Sequence, residues 1–219
     1  MDLSQIETDL QNDDFQYRLK AISALKEYPP EVAIPLLTRH LHDPEFLVRT
    51  FVARELGRQK TSDSFAALLQ IMRFDNTPNV RAEAANSLSL FGRVSVSHLV
   101  QTFVRDDHWL VRRSILATLV ELDCPEEVLE ICMVGLAGSD ATVQEASVDA
   151  LGSLANSRQA IAALSQLLIL KDAEAEYIRV HVAHALKHFD TPEAKAALVQ
   201  LRQDVHHRVV GAALENLLP

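Results

Sequence analysis

Residues 43–57 read DPEFLVRTFVARELG. The same frame returns as DNTPNVRAEAANSLS at residues 75–89 and DDHWLVRRSILATLV at residues 106–120. Each stretch has an Asp, four further residues, a Val-Arg pair, and then a Leu eight residues after the Val. A fourth, SDATVQEASVDALGSL at residues 139–154, keeps the Val and the Leu. The valines stand at 48, 80, 111 and 143, so the steps are 32, 31 and 32. Outward from these, Tyr17-Arg18 leads to Leu25 and Ile178-Arg179 leads to Leu186, while His206-His207 with Leu214 reads as a degenerate last unit. Arg is 15 of 219 residues, so its presence in one register in five of seven units exceeds what composition supplies. Apolar residues within each unit recur at helical spacing, and a two-helix repeat of this period is the signature of an α-solenoid.

Turn residues divide the chain into units of about 31 residues: 1–29, 30–60, 61–92, 93–123, 124–155, 156–189 and 190–219. No linker or change of composition interrupts them. The expectation is one all-α domain over residues 1–219, a right-handed superhelix of about fourteen short helices. In the second unit a helix from Pro30 ends at Asp43-Pro44, and a second runs from about Pro44 to Gly57. The third runs from Ser62 to Phe74, turns at Asp75–Pro78 and continues to Phe91-Gly92. The fifth runs from Pro125 to Leu136, turns at Gly138–Asp140 and continues to about Leu154. Leu217, Leu218 and Pro219 are expected to leave an apolar C-terminal edge.

Composition narrows the function. The chain carries 21 Lys+Arg against 30 Asp+Glu, a net charge of −9. That balance disfavours nucleic acid, which needs a basic footprint, and disfavours an anionic membrane surface. No apolar run reaches the length of a membrane-spanning helix. The polar, acidic N-terminus and the two cysteines point to a cytoplasmic, reduced chain. A hydrophobic fraction of 48% with 23% charged residues is a folding composition. Gly-rich phosphate loops, nucleophile elbows and zinc-protease helices are absent from the sequence.

The residues Asp43, Val48, Arg49; Asp75, Val80, Arg81; Asp106, Val111, Arg112; and Ile178, Arg179 resemble the HEAT repeat. More narrowly, they resemble the short HEAT-like repeat of the phycobilin lyase family. The fifth unit departs with Gln144 and the last with His207. The resemblance implies that Arg and Asp bond across successive turns. It also implies a cytoplasmic protein, associated with phycobilisomes at the thylakoid surface, that binds phycobiliprotein subunits (phycocyanin, allophycocyanin) and acts on their phycocyanobilin chromophore. Other proteolysis factors are further implied partners. Activity, if catalytic, would be lyase-type at the bilin–cysteine thioether. The alternative is a non-catalytic scaffold or adaptor. No resident cofactor or metal is expected, beyond a bound linear tetrapyrrole.

Candidate residues follow from the concave surface that a solenoid presents with its second helices. Positions two and six after each Val are expected in the groove: Thr50 and Arg54, Ala82 and Asn86, Arg113 and Ala117, Glu145 and Asp149, Val180 and His184. Trp109 beside His108 and Arg113 offers an aromatic plate next to a guanidinium, suited to a planar, propionate-bearing ligand. His181, His184 and His188 share a helix face by spacing, as partner or ligand contacts rather than metal ligands. His184 is the candidate proton shuttle. Cys124, in the turn before Pro125, reads as exposed, and Cys132 reads as core.

Overall fold

A computed structural model describes residues 1–215. Leu217, Leu218 and Pro219, and with them the expected apolar C-terminal edge, lie outside the described residues. The described residues form helices and no strand, and the chain is an all-α solenoid of short helix pairs. The pairs are α1 (Leu3–Asp9) with α2 (Phe15–Ala24), α3 (Pro30–Thr38) with α4 (Phe46–Gln59), and α5 (Ser62–Phe74) with α6 (Pro78–Leu88). Then come α7 (Val96–Arg105) with α8 (Trp109–Glu121), α9 (Pro125–Ala137) with α10 (Ala141–Ser153), α11 (Ala160–Leu170) with α12 (Glu176–Leu186), and α13 (Pro192–Leu201) with α14 (His207–Glu215).

Local chemistry sets these boundaries. Pro30, Pro78, Pro125 and Pro192 each open a helix, where the missing N–H has no intrahelical partner to lose. Thr61 and Ser64 cap α5 reciprocally through side chain and backbone. Pro44 lies outside α4, because Glu45 is the N-cap and the helix begins at Phe46. After α6 the chain tightens into a 3-10 stretch and turns at Gly92, whose φ of 72° suits only a residue without a Cβ.

Residues 1–118 and 119–219 form two compact units. In the first, α2, α4 and α6 stack side by side, with α3, α5 and α7 as a neighbouring row. In the second, α10, α12 and α14 stack in the same manner, and α11 packs on α13. The repeated Val is the innermost residue: Val48, Val80, Val111 and Val143 are all buried, as are the Leu eight residues on from each, Leu56, Leu88, Leu119 and Leu151. A Val or Leu buried in this way contributes about 1.5–3 kcal/mol of transfer free energy.

Polar rungs join successive pairs at the turns. Arg18 donates through Nε and Nη2 to both carboxylate oxygens of Asp43 at 2.8 and 2.9 Å, and Arg49 meets Asp75 at 2.7 and 3.1 Å. Arg81 meets Asp106 at 2.6 and 3.1 Å, and Arg179 meets Asp204 at 2.7 and 3.1 Å. Each of these Arg residues also donates to a turn carbonyl of its own pair: Asn12, Asp43, Asp75 and Ala173. Each Asp in turn accepts a backbone N–H two residues on, from Glu45, Thr77, His108 and His206. The hydrogen bond from Arg18 and the backbone donor of Glu45 hold the Asp43 carboxyl below its ordinary range against the opposing effect of burial, and Arg179 does the same for Asp204.

The rungs change where the sequence departs from the frame. Gln144 keeps the turn bond, donating to the Gly138 carbonyl at 2.8 Å, and accepts from the Tyr177 hydroxyl at 2.6 Å. Gly138 and Ala173 stand at the place that carries Asp43, Asp75, Asp106 and Asp204 in four other pairs and Asn12 in the first. The last pair corrects the expected register. Val209 is fully buried while His206, His207 and Leu214 are exposed, so Val209-Val210 occupies the Val-Arg place. Asp204 precedes Val209 by five residues, just as Asp43 precedes Val48.

Candidate functional site

In the first unit, Trp109 opens α8 and is 39% exposed. Its indole stacks on the His108 ring, with centroids 5.8 Å apart and planes inclined by 27°. His108 lies just before α8. Its Nδ1 accepts the Leu110 N–H at 3.2 Å and its own N–H is held by Asp106, so the imidazole caps the helix. Arg113 is exposed, and its side chain makes no hydrogen bond or ion pair with another described residue. Trp109, His108 and Arg113 therefore form one small surface with an available aromatic face and an available charge.

The other expected groove residues of this unit are placed differently. Arg54 is already engaged: Nε donates to Glu83 at 2.8 Å, and its guanidinium lies 4.9 Å from the Phe51 ring centre. Asn86 is exposed on α6. Ala82, expected in the groove, is buried, because α6 is covered there by its neighbours. His98 packs edge-on against Phe65, which also contacts Phe91.

The sequence reading missed a cleft in this unit. A cavity of about 570 Å³ opens between the ends of α5 and α7. Phe74, 72% exposed, stands at its mouth with the Arg73 guanidinium 5.8 Å from its ring centre. Arg105 and Gln101 line the other side, and the Arg81–Asp106 rung forms part of the wall. The only trace in the sequence is an aromatic residue directly before a turn Asp.

In the second unit the histidines are dispersed among carboxylates. His181 Nδ1 lies 2.8 Å from Asp149, and its Nε2 lies 4.0 Å from Glu145. The hydrogen bond to Asp149 raises the His181 pKa above its ordinary value, against the lowering effect of burial. His184 faces Glu215 of α14 at 3.8 Å, and His206 faces Glu176 at 3.4 Å. His188 lies beyond the end of α12, so the helical face expected for the three histidines stops at His184. No three His, Cys, Asp or Glu side chains gather as a metal site among the described residues.

The cysteines resolve in opposite ways. Cys132 is core, and burial pushes its thiol up far beyond the ordinary range. Cys124, expected to be exposed, is also buried, with its thiol 3.5 Å from the Leu122 carbonyl. The cause is local: Asp123 adopts a left-handed φ of 51° and turns Cys124 inward beneath α9.

HEAT repeats match residues 6–89 and 129–218, most of the chain. The chain belongs to the HEAT-repeat family. No curated protein matches it. Among solved structures, this HEAT chain is similar to the Escherichia coli protein YibA, at 16% identity and a TM-score of 0.66 over 99% of this chain and 82% of that one. It is also similar to the complex of CpcE and CpcF of phycocyanin lyase from Nostoc sp. PCC7120, at 16% identity and a TM-score of 0.54 over 100% and 95%. A third similarity is to Kap95p in complex with RanGDP, at 14% identity and a TM-score of 0.65, covering 97% of this chain and 35% of that one. These likenesses establish the HEAT architecture. No helix of the HEAT array is long and apolar enough to cross a membrane among the described residues.

Proposed function

We propose that this HEAT protein is a single array over residues 1–219 that docks phycobiliprotein subunits, phycocyanin or allophycocyanin, and promotes detachment of their phycocyanobilin. In this reading it is most like the phycobilisome-degradation protein NblB and works in the cytoplasm beside phycobilisomes. The observation that carries the reading is the surface of Trp109, His108 and Arg113. It offers a stacking face and a guanidinium that no internal partner uses, which is what a planar, propionate-bearing tetrapyrrole requires. Support also comes from the likeness to the phycocyanin lyase complex along nearly the full length of both chains. In this reading His184, whose imidazole is half-buried, carries the proton of any bilin chemistry, a task for which imidazole is the usual side chain.

One observation favours the second reading, a non-catalytic adaptor. Neither cysteine is exposed to hold a bilin covalently, since Cys124 and Cys132 are both buried. Incubating the pure protein with chromophorylated phycocyanin separates the two. A change of the visible spectrum at catalytic ratios supports lyase-type action. A stoichiometric complex with unchanged absorbance supports the adaptor.

A further inference from the structure

The second unit carries a cleft whose charge opposes that of the whole chain. It lies between the end of α12 and α13 and encloses about 550 Å³. Its floor is apolar: Leu186, Phe189 and Leu198 are buried there, and Val199, 51% exposed, extends the floor to the rim. Three cations, Lys187, Lys195 and Arg202, surround this floor against one carboxylate, Asp190. The chain as a whole has 21 basic against 30 acidic residues, so a local three-to-one excess of cations is a marked inversion.

The cations are unequally occupied. Lys195 pairs with Asp190 at 2.5 Å, but both side chains are largely exposed and such pairs exchange readily with solvent. Lys187 is exposed and has no ion pair with another described residue. Arg202 is the informative one. Its Nε is buried, and no hydrogen-bond acceptor reaches it among the described residues. The Arg202 guanidinium has no ion pair with another described residue, so its charge is available to the cleft that it lines. By contrast, the cleft between α5 and α7 sets three Arg against three Asp, with Arg81 and Asp106 already bonded to each other.

We propose that the cleft between α12 and α13 docks a segment of a partner protein in which a carboxylate stands beside a bulky apolar side chain. The carboxylate is attracted by the Arg202 guanidinium and by Lys187. The apolar side chain covers Phe189, Leu198 and Val199. Openness at Val199 selects a protein segment over a small molecule. Small ligands need most of their surface enclosed, whereas a protruding segment draws the rest of its contact from outside the cleft. The proposal is independent of any action on bilins.

The test uses the full-length protein, labelled with 15N, and a fluorescent dodecapeptide alternating glutamate with leucine. A second peptide carries glutamine in place of glutamate. Saturable binding of the acidic peptide is expected, with backbone amide shifts centred on Phe189, Leu198, Val199 and Arg202. The glutamine peptide should bind about tenfold more weakly, and Arg202→Gln should weaken the acidic peptide to a similar degree, because each removes one side of a charge-assisted bond. Lys187→Gln alters only an exposed side chain and keeps the test valid if Arg202→Gln fails to fold; a loss of about fivefold is expected. Absence of saturable binding, shifts centred elsewhere, equal binding of the glutamine peptide, or a Lys187→Gln affinity within twofold of wild type would each overturn the proposal.

Discussion

A Cβ placed on Gly57 would stand 2.8 Å from the Cβ of Ser87, closer than two carbons can pack. The absence of a side chain at Gly57 is what lets α4 lie against α6. The same relation recurs in the second unit, where a Cβ on Gly152 would come within 3.0 Å of the Ala185 backbone and bring α10 into conflict with α12. Gly57 and Gly152 hold the same place in their pairs, nine residues after Val48 and Val143. Close approach of second helices thus rests on glycine at these two places, whereas Ser89, Val120 and Lys187 stand at the same offset in other pairs.

Gly57→Ala should lower stability by about 1–3 kcal/mol through overpacking, less the roughly 1 kcal/mol that Ala gains over Gly in a helix. Gly211 in α14 is the control, since nothing lies within 4 Å of its would-be Cβ. Gly211→Ala should raise stability by up to about 1 kcal/mol. Urea unfolding of the two variants checks the sign directly, and equal shifts would contradict the packing argument.

Arg81→Ala should destabilise the protein by about 1–3 kcal/mol, because it strips Asp106 of both side-chain donors and leaves the Asp75 carbonyl without its guanidinium partner. Both side chains of the pair are mostly buried, so solvent screens the loss little. A double-mutant cycle with Asp106→Asn should show strong coupling. An unchanged melting point, combined with lost partner binding, would assign Arg81 to the adjacent cleft instead.

His181 makes part of the stability depend on pH. Its pKa is raised in the folded state by Asp149, so its contribution is complete below the ordinary histidine value of about 6.5 and is lost as pH rises through the folded value. His181→Asn should therefore be less stable than wild type at pH 5.5 and indistinguishable from it at pH 9. An NMR titration of the His181 ring should give a midpoint above about 6.5.

If the proposed function holds, Trp109→Ala and Arg113→Ala should each weaken binding of a labelled phycocyanin α-subunit by about 2 kcal/mol or more, as Trp and Arg residues at binding surfaces commonly do. Both residues are exposed, so folding should survive. On the same proposal, His184→Ala should slow bilin chemistry and spare affinity, as loss of a proton shuttle does. Wild-type affinity in both the Trp109 and Arg113 variants would move the docking surface elsewhere.

The solenoid was legible because its polar rungs demand two residue types at a fixed separation. An Arg in one turn needs an Asp 25 or 26 residues later, and each Val beside the Arg needs burial. Where the partners change, legibility falls. The last register was misread because two histidines stand just ahead of Val209, and the Arg place is taken by Val210. Burial of Cys124 depends on a left-handed Asp123, a conformation that sequence does not announce for Asp. The clefts were invisible for another reason. Phe74 and Arg105 share one cleft, and Lys187 and Arg202 another, through the packing of neighbouring helices, and no period links those residues.

The exchange of a charged rung for the neutral Gln144–Tyr177 bond gives different parts of the array different chemistry under acid. Asp43 and Asp204 carry depressed carboxyls, so their rungs hold above the ordinary carboxylate range of about 4 and fail as pH falls through their folded values. An amide–phenol bond has no proton to gain there. Acid should therefore loosen the array at its carboxylate joints, while the Gln144–Tyr177 bond itself persists near pH 3. Strength against acid is in this way distributed along the chain by which joints are ionic and which are neutral.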